Sequence, residues 1–257
     1  MKRAVLILGF LFCASPTLAT ITLVQSSSQT ESGAQTRTCT LNSVVAGNAL
    51  IVTAGQWRGS AISGKPTVSD GANTYTEAFS TDAGAQHSKG IIWSAPNVAG
   101  GTTTITVTAA DTGASDLDVA CYEYSGLITT ALLDQANGSF VSGYTSPNDQ
   151  TTGNITTTNA NDLLFAFAWN ASSGTIPSTT GASFNSRQGT SNPDGEASRG
   201  ADRIVSATGT YNNTFQVSVN VTNFHVMIAS FKGVASGSSA STIGGPSTMG
   251  GPTIRQK

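Results

Sequence analysis

Short runs that alternate apolar and polar residues, each closed by Gly, Asn, Asp or Pro, follow one another along most of this chain. A period of two marks a β-strand with one buried face. Residues 21–26, 36–41, 74–79, 89–93 and 102–109 read this way. Residues 49–57 and 163–169 are instead almost unbroken apolar runs, as expected of central strands buried on both faces. Residues 117–124, 133–136, 150–158, 183–187, 201–206, 214–219 and 224–231 complete the series. No stretch sustains a helical period with caps, so no helix is predicted.

The strand pattern repeats. Asn48-Ala49-Leu50-Ile51-Val52-Thr53-Ala54 recurs as Asn161-Asp162-Leu163-Leu164-Phe165-Ala166-Phe167. Thr104-Ile105-Thr106-Val107-Thr108 recurs as Thr214-Phe215-Gln216-Val217-Ser218, and residues 118–126 recur as residues 225–233. The spacing predicts a duplicated all-β unit with halves at about 20–126 and 132–233. The connector between them lacks the Pro, Gly or Ser richness of an interdomain linker. The expected fold is therefore one jelly-roll-like β-sandwich of two packed sheets, with two tandem sandwiches as the alternative.

The ends differ from this body. Met1-Lys2-Arg3, an apolar stretch over residues 4–13 and Thr17-Leu18-Ala19 have the layout of a secretion signal, with cleavage expected after Ala19. Residues 234–257 are rich in Gly, Ser and Pro and are expected to form a flexible tail. Only 10% of residues are charged and the net charge is -2. With no basic stripe, nucleic acid is not an expected partner, and no second apolar run suggests membrane insertion after signal cleavage. After cleavage Cys39 and Cys121 remain. In an oxidising compartment they are a candidate disulfide, with two buried thiols as the alternative.

Gly47 to Ala54, Ile92-Trp93-Ser94-Ala95-Pro96-Asn97-Val98-Ala99-Gly100-Gly101, residues 119–127 and Leu133-Asp134 resemble a bacterial secreted module. That module is similar to jelly-roll repeats of exported surface proteins and of phage tail-associated proteins. The resemblance covers about residues 20–233 and implies a binding or structural part. It brings no catalytic residues.

Candidate chemistry is sparse. Glycoside hydrolysis needs two carboxyl groups at fixed separation. Glu123 shares a strand face with Leu117, Val119 and Cys121, so it is either a buried acid of raised pKa or a strand-end residue reaching outward. Glu77 and His87 are the other weak catalytic candidates. His225 stands where the first half has Asp118, and is expected to be solvent-facing or hydrogen-bonded. No Gly-x-Ser-x-Gly elbow or phosphate loop is present. No cofactor is expected beyond a structural calcium on Asp70, Asn73 and Asp116, with Asp111 and Asp118 nearby in the sequence.

Strand-end aromatics remain. Trp57 with Arg58, Trp93, Trp169 (which ends the strand repeating the one before Trp57) and Tyr144 in a polar loop are the candidate ligand-binding residues, either as a sugar-stacking platform or as core plugs. The leading expectation is a secreted, non-enzymatic module for polysaccharide or cell-surface glycan. The alternatives are a self-assembling surface protein that lends residues 20–28 to a neighbour's sheet, and a hydrolase or lyase using Glu123 or Glu77 with His87.

Overall fold

The computed structural model describes residues 20–31, 33–82, 87–113, 115–141, 149–171, 176, 183–190, 196–216 and 223–234. Tyr144, the expected signal and all of the expected tail but Val234 lie outside them. The chain is all-β. Its strands are β1 (Thr22–Glu31), β2 (Thr36–Val44), β3 (Ala49–Trp57), β4 (Thr67–Ser69), β5 (Thr76–Asp82), β6 (Ser88–Ala95), β7 (Gly101–Thr108) and β8 (Asp116–Ser125). There follow β9 (Leu133–Val141), β10 (Gln150–Thr151), β11 (Ile155–Thr156), β12 (Asp162–Asn170), β13 (Asn185–Ser186), β14 (Ala197–Val205), β15 (Thr210–Tyr211), β16 (Thr214–Phe215) and β17 (Phe224–Lys232).

Two five-stranded antiparallel sheets dominate. The first runs β1-β8-β3-β6-β5 and the second β9-β17-β12-β14-β13. Both place the apolar run seen in the sequence, β3 or β12, at the centre. A small sheet, β2-β7-β4, covers the outer face of the first. The short pairs β10-β16 and β11-β15 cover the outer face of the second.

The sandwich is thus deeper than the two layers expected. Leu50, Val52, Ile91, Trp93, Val119 and Cys121 pack against the small sheet through Leu41, Ile105 and Val107. The opposite side chains of the same strands, including Ile51, Ile92 and Tyr122, meet Phe165, Phe167, Trp169 and Phe231 of the second large sheet. Leu164, Ala166, Val226 and Ile228 then face Ile155 and Phe215 in the last layer. Both large sheets are buried on both faces, which explains why β3 and β12 lack the polar alternation of their neighbours. Cys39 and Cys121 form a disulfide that ties β2 of the small sheet to β8 of the large one.

The connector is no loose linker. Val234 N–H donates to the Gly126 carbonyl and Lys232 N–H to the Leu132 carbonyl, so the chain between the halves is pinned to the end of β17. Of residues 20–28, the segment expected to be available to a neighbour's sheet, residues 22–28 pair with β8 of their own chain, with an irregularity at Val24.

Candidate functional site

The tryptophans do not assemble into a platform. Trp93 is 5% exposed and packs inside the first half, and Trp169 is fully buried between the two large sheets. Trp57 alone is half-exposed, at the end of β3. The physical reason is register. Gly55 pairs with Asp118 across β3 and β8, while Trp169 pairs with His225 across β12 and β17. Trp169 packs directly on Gly55, two residues inward from Trp57 at the end of β3. A shift of two residues leaves the side chain on the same face and moves it inward from the strand end. Arg58 is held by its own surroundings, with its guanidinium 2.7 Å from the Thr112 carbonyl and 3.4 Å from Asp111.

The catalytic candidates are dispersed. Glu123 does not reach outward: it is fully buried, and its carboxylate accepts from Gln25 Nε2 at 2.6 Å, Val45 N–H at 2.8 Å and Asn48 Nδ2 at 2.6 Å. It fastens β1 and the turn between β2 and β3. Glu77 lies on β5 at the surface, paired with Lys65 Nζ at 2.8 Å and accepting from Ser80. Its strand is three inter-strand steps from that of Glu123, about 14 Å. His87 lies just before β6, six residues from Trp93, the register partner of Glu77, and so about 20 Å along the strand. The carboxyl pairs of glycosidases sit about 5–10 Å apart.

The calcium candidates are likewise separate. Asp70 accepts from Ala72 N–H, Asn73 N–H, Asn73 Nδ2 and Tyr75 O–H, closing its own turn. Burial works to raise its pKa, but these four donors win and hold it below the usual value. Asn73 Oδ1 takes the Ala99 N–H. Asp116 lies instead at the start of β8, accepting from Gly33 N–H. Among the described residues no three acidic, His or Cys side chains are grouped so as to hold a metal ion.

Several charged or titratable residues of this protein lie inside it. Asp118, Glu123, Asp162, Glu196, Asp202, Lys89 and His225 are all buried, although the whole chain has only 14 acidic and 12 basic residues. Several of them bridge the two large sheets. Asp118 accepts from Trp169 Nε1 at 2.9 Å and from the Thr30 hydroxyl. Tyr124 O–H donates to Asp202 at 2.7 Å, and Arg187 pairs with the same carboxylate at 2.7 Å. His225 lies between the hydroxyls of Thr81, 2.6 Å from Nδ1, and Ser88, 2.9 Å from Nε2.

The exterior is correspondingly rich in hydroxyls. On the small outer sheet Thr36, Thr108 and Thr67 lie in one cross-strand row, Thr38, Thr106 and Ser69 in the next, and Thr40 and Thr104 in a third. All eight point away from the core, and Thr106 is half-buried while the others are exposed. Arg37 is the one charged residue of these three strands, and it falls on the alternate, inward set with Cys39 and Leu41. The opposite outer layer has a smaller version, with Thr151 beside Thr214 at 2.9 Å and Thr156 beside Thr210 at 3.0 Å. Sequence reasoning placed β2 and β7 but passed over these rows. The signal was the alternation Thr36-x-Thr38-x-Thr40 and Thr104-x-Thr106-x-Thr108.

A concave feature opens beside β5, β6 and the segment leading into β9. It is a groove of about 190 Å³ lined by Thr76, Glu77, Ser94, Pro96 and residues 131–133. That is below the usual range for small-molecule sites, about 300–1,000 Å³.

These features define an all-β, sandwich-type protein with buried charge and hydroxyl-lined outer faces. No family model matches the chain, and neither a curated protein nor a solved structure does.

Proposed function

We propose that this chain is an exported, non-enzymatic module that binds polysaccharide or cell-surface glycan. The observation that carries this reading is the distribution of charge. Asp118, Glu123 and Asp202 serve as internal hydrogen-bond acceptors, while the outer sheets present Thr, Ser and Asn. Such outer-sheet faces of uncharged donors and acceptors form a surface that suits a neutral polymer of hydroxyl groups. It offers nothing to the phosphates of nucleic acid or to anionic lipid headgroups, both of which need clustered Lys or Arg. The buried Cys39–Cys121 disulfide fits an oxidising compartment.

The test is binding of the mature chain to a glycan array and to insoluble polysaccharides, in the presence and absence of EDTA. Retention that EDTA leaves intact is the expected result. Retention that EDTA abolishes would shift recognition to a metal-dependent loop. Failure to bind any glycan would overturn the reading.

A further inference from the structure

We propose that the threonine-lined outer face of the β2-β7-β4 sheet docks onto the surface of an insoluble, neutral polysaccharide, where extended chains lie side by side. This inference rests on the glycan-binding reading above and assigns it a site and a physical form of ligand.

The face is a grid. Alternate residues on one strand stand about 6.8 Å apart, and neighbouring strands about 4.8 Å apart. Each grid point is a Thr or Ser, so each carries a hydroxyl, and all but the Ser also carry a methyl. Along a row the hydroxyls are near enough to meet, as Thr40 and Thr104 do at 3.3 Å. β-Branched Thr is stiff about χ1, so the grid loses little side-chain freedom on contact.

Charge and shape choose the occupant. The outward positions carry no charge, so complementarity selects an uncharged partner. They carry no aromatic or large apolar anchor either, and protein interfaces depend on such anchors for most of their energy. Without a cleft, a single short sugar would be held from one side only. Each hydroxyl contact exchanges one hydrogen bond with water for another and gains little alone. Many contacts must therefore form at once, against a partner that is itself extended and ordered. Ice is such a surface too, but a three-stranded sheet twists by about 20–25° from strand to strand. That twist spoils registry with a rigid planar lattice, and polymer chains adjust to it more readily.

The test uses the full mature chain on microcrystalline cellulose and on crystalline chitin, at low salt and in 1 M NaCl. The face is altered by the triple substitution Thr38→Val, Thr40→Val, Thr106→Val, which keeps side-chain shape and strand preference and removes hydroxyls. A second variant, Thr106→Arg, sets a charge at the centre of the grid. Circular dichroism and Tm show that both are folded. The proposal expects wild-type retention that salt does not weaken, and at least a tenfold loss in each variant. Wild-type retention with unchanged variants would overturn the face assignment while leaving the glycan-binding reading in place. Binding to soluble oligosaccharides but to neither solid would overturn the surface form of the ligand. Arrest of ice-crystal growth without retention on either solid would overturn the proposal in favour of ordered water. No binding to glycan in any form would sink this inference together with the reading it rests on.

Discussion

The indole of Trp169 occupies the space that a side chain on Gly55 would need. A Cβ added to Gly55 would fall inside the contact distance of Trp169 Cγ, Cδ1 and Cδ2. The two residues face each other from the two large sheets, so one sheet supplies the knob and the other the hole. Gly55→Ala inserts a methyl into a fully buried contact between two rigid sheets. Over-packing of this kind costs about 1–3 kcal/mol, and the top of that range is expected here. Urea unfolding of Gly55→Ala would show a lower midpoint with an unchanged slope. In a Trp169→Leu background the same substitution should cost far less, because the ring it collides with is gone. Additive costs would disprove direct packing.

The fate of the tryptophans shows how much of the molecule is legible in the sequence. Strand positions were legible because burial of one face writes a period of two, and burial of both faces writes the apolar runs of β3 and β12. The direction of individual side chains was less so. Trp169 is a strand-end aromatic in the sequence, like Trp57, yet it lies fully buried against Gly55 of the other sheet. Register is a long-range property, fixed by pairing with β17 and β14, and no local pattern encodes it. The position of Glu123 was legible only as a strand face. Its three donors come from β1 and from the turn between β2 and β3, far away in sequence. The threonine rows were fully legible as an alternation, but their joining into one grid depends on β2 and β4 flanking β7.

Glu123 is predicted to be a structural acid. Glu123→Ala leaves the Val45 N–H and the side-chain amide of Asn48 without this acceptor, and takes from Gln25 Nε2 one of two, the other being the Asn42 carbonyl. A buried group left unpaired costs about 1–3 kcal/mol, and because these donors are only partly buried the total loss is expected within that same range. Glu123→Gln keeps one acceptor oxygen and the shape of the site, and should cost less. Denaturant unfolding of the two variants checks the order. Equal stability of Glu123→Ala and wild type would refute the role.

The disulfide closes a loop whose ends are 82 residues apart. Restricting the unfolded chain over that length stabilises the fold by about 4–5 kcal/mol in the chain-entropy model. The paired substitution Cys39→Ala, Cys121→Ala should lower Tm by about 10–20 °C and leave glycan retention at low temperature unchanged, since β2 still pairs with β7 over residues 36–41. Differential scanning calorimetry with and without reductant measures the first effect. A reductant-insensitive Tm in the wild type would show that the bond is absent or contributes nothing.

The pH dependence of stability should carry the mark of Glu196. Burial first, then the nearby carboxylates of Asp116 and Asp118, push its pKa from 4.5 up to about 7, against a backbone hydrogen bond that lowers it. Asp162, raised to about 7 by burial and by Asp134 against the hydrogen bond from Asn159, acts in the same sense. Between about pH 4.5 and 7 the folded chain therefore binds more protons than the unfolded chain at these two sites. Stability falls with rising pH wherever the folded state binds the excess, so their contribution is fully present below about pH 4.5 and is lost as the pH passes 7. Asp70 and Asp134, whose pKa values are lowered, work oppositely, and their stabilisation is lost as the pH falls below 4. Glu196→Gln imitates the protonated acid at every pH. It should match the wild type near pH 4.5, exceed it in Tm at pH 8, and show a shallower decline between them. Parallel Tm curves for the two proteins across that window would mean that Glu196 titrates normally and that the acidic cluster at the start of β8 is solvated.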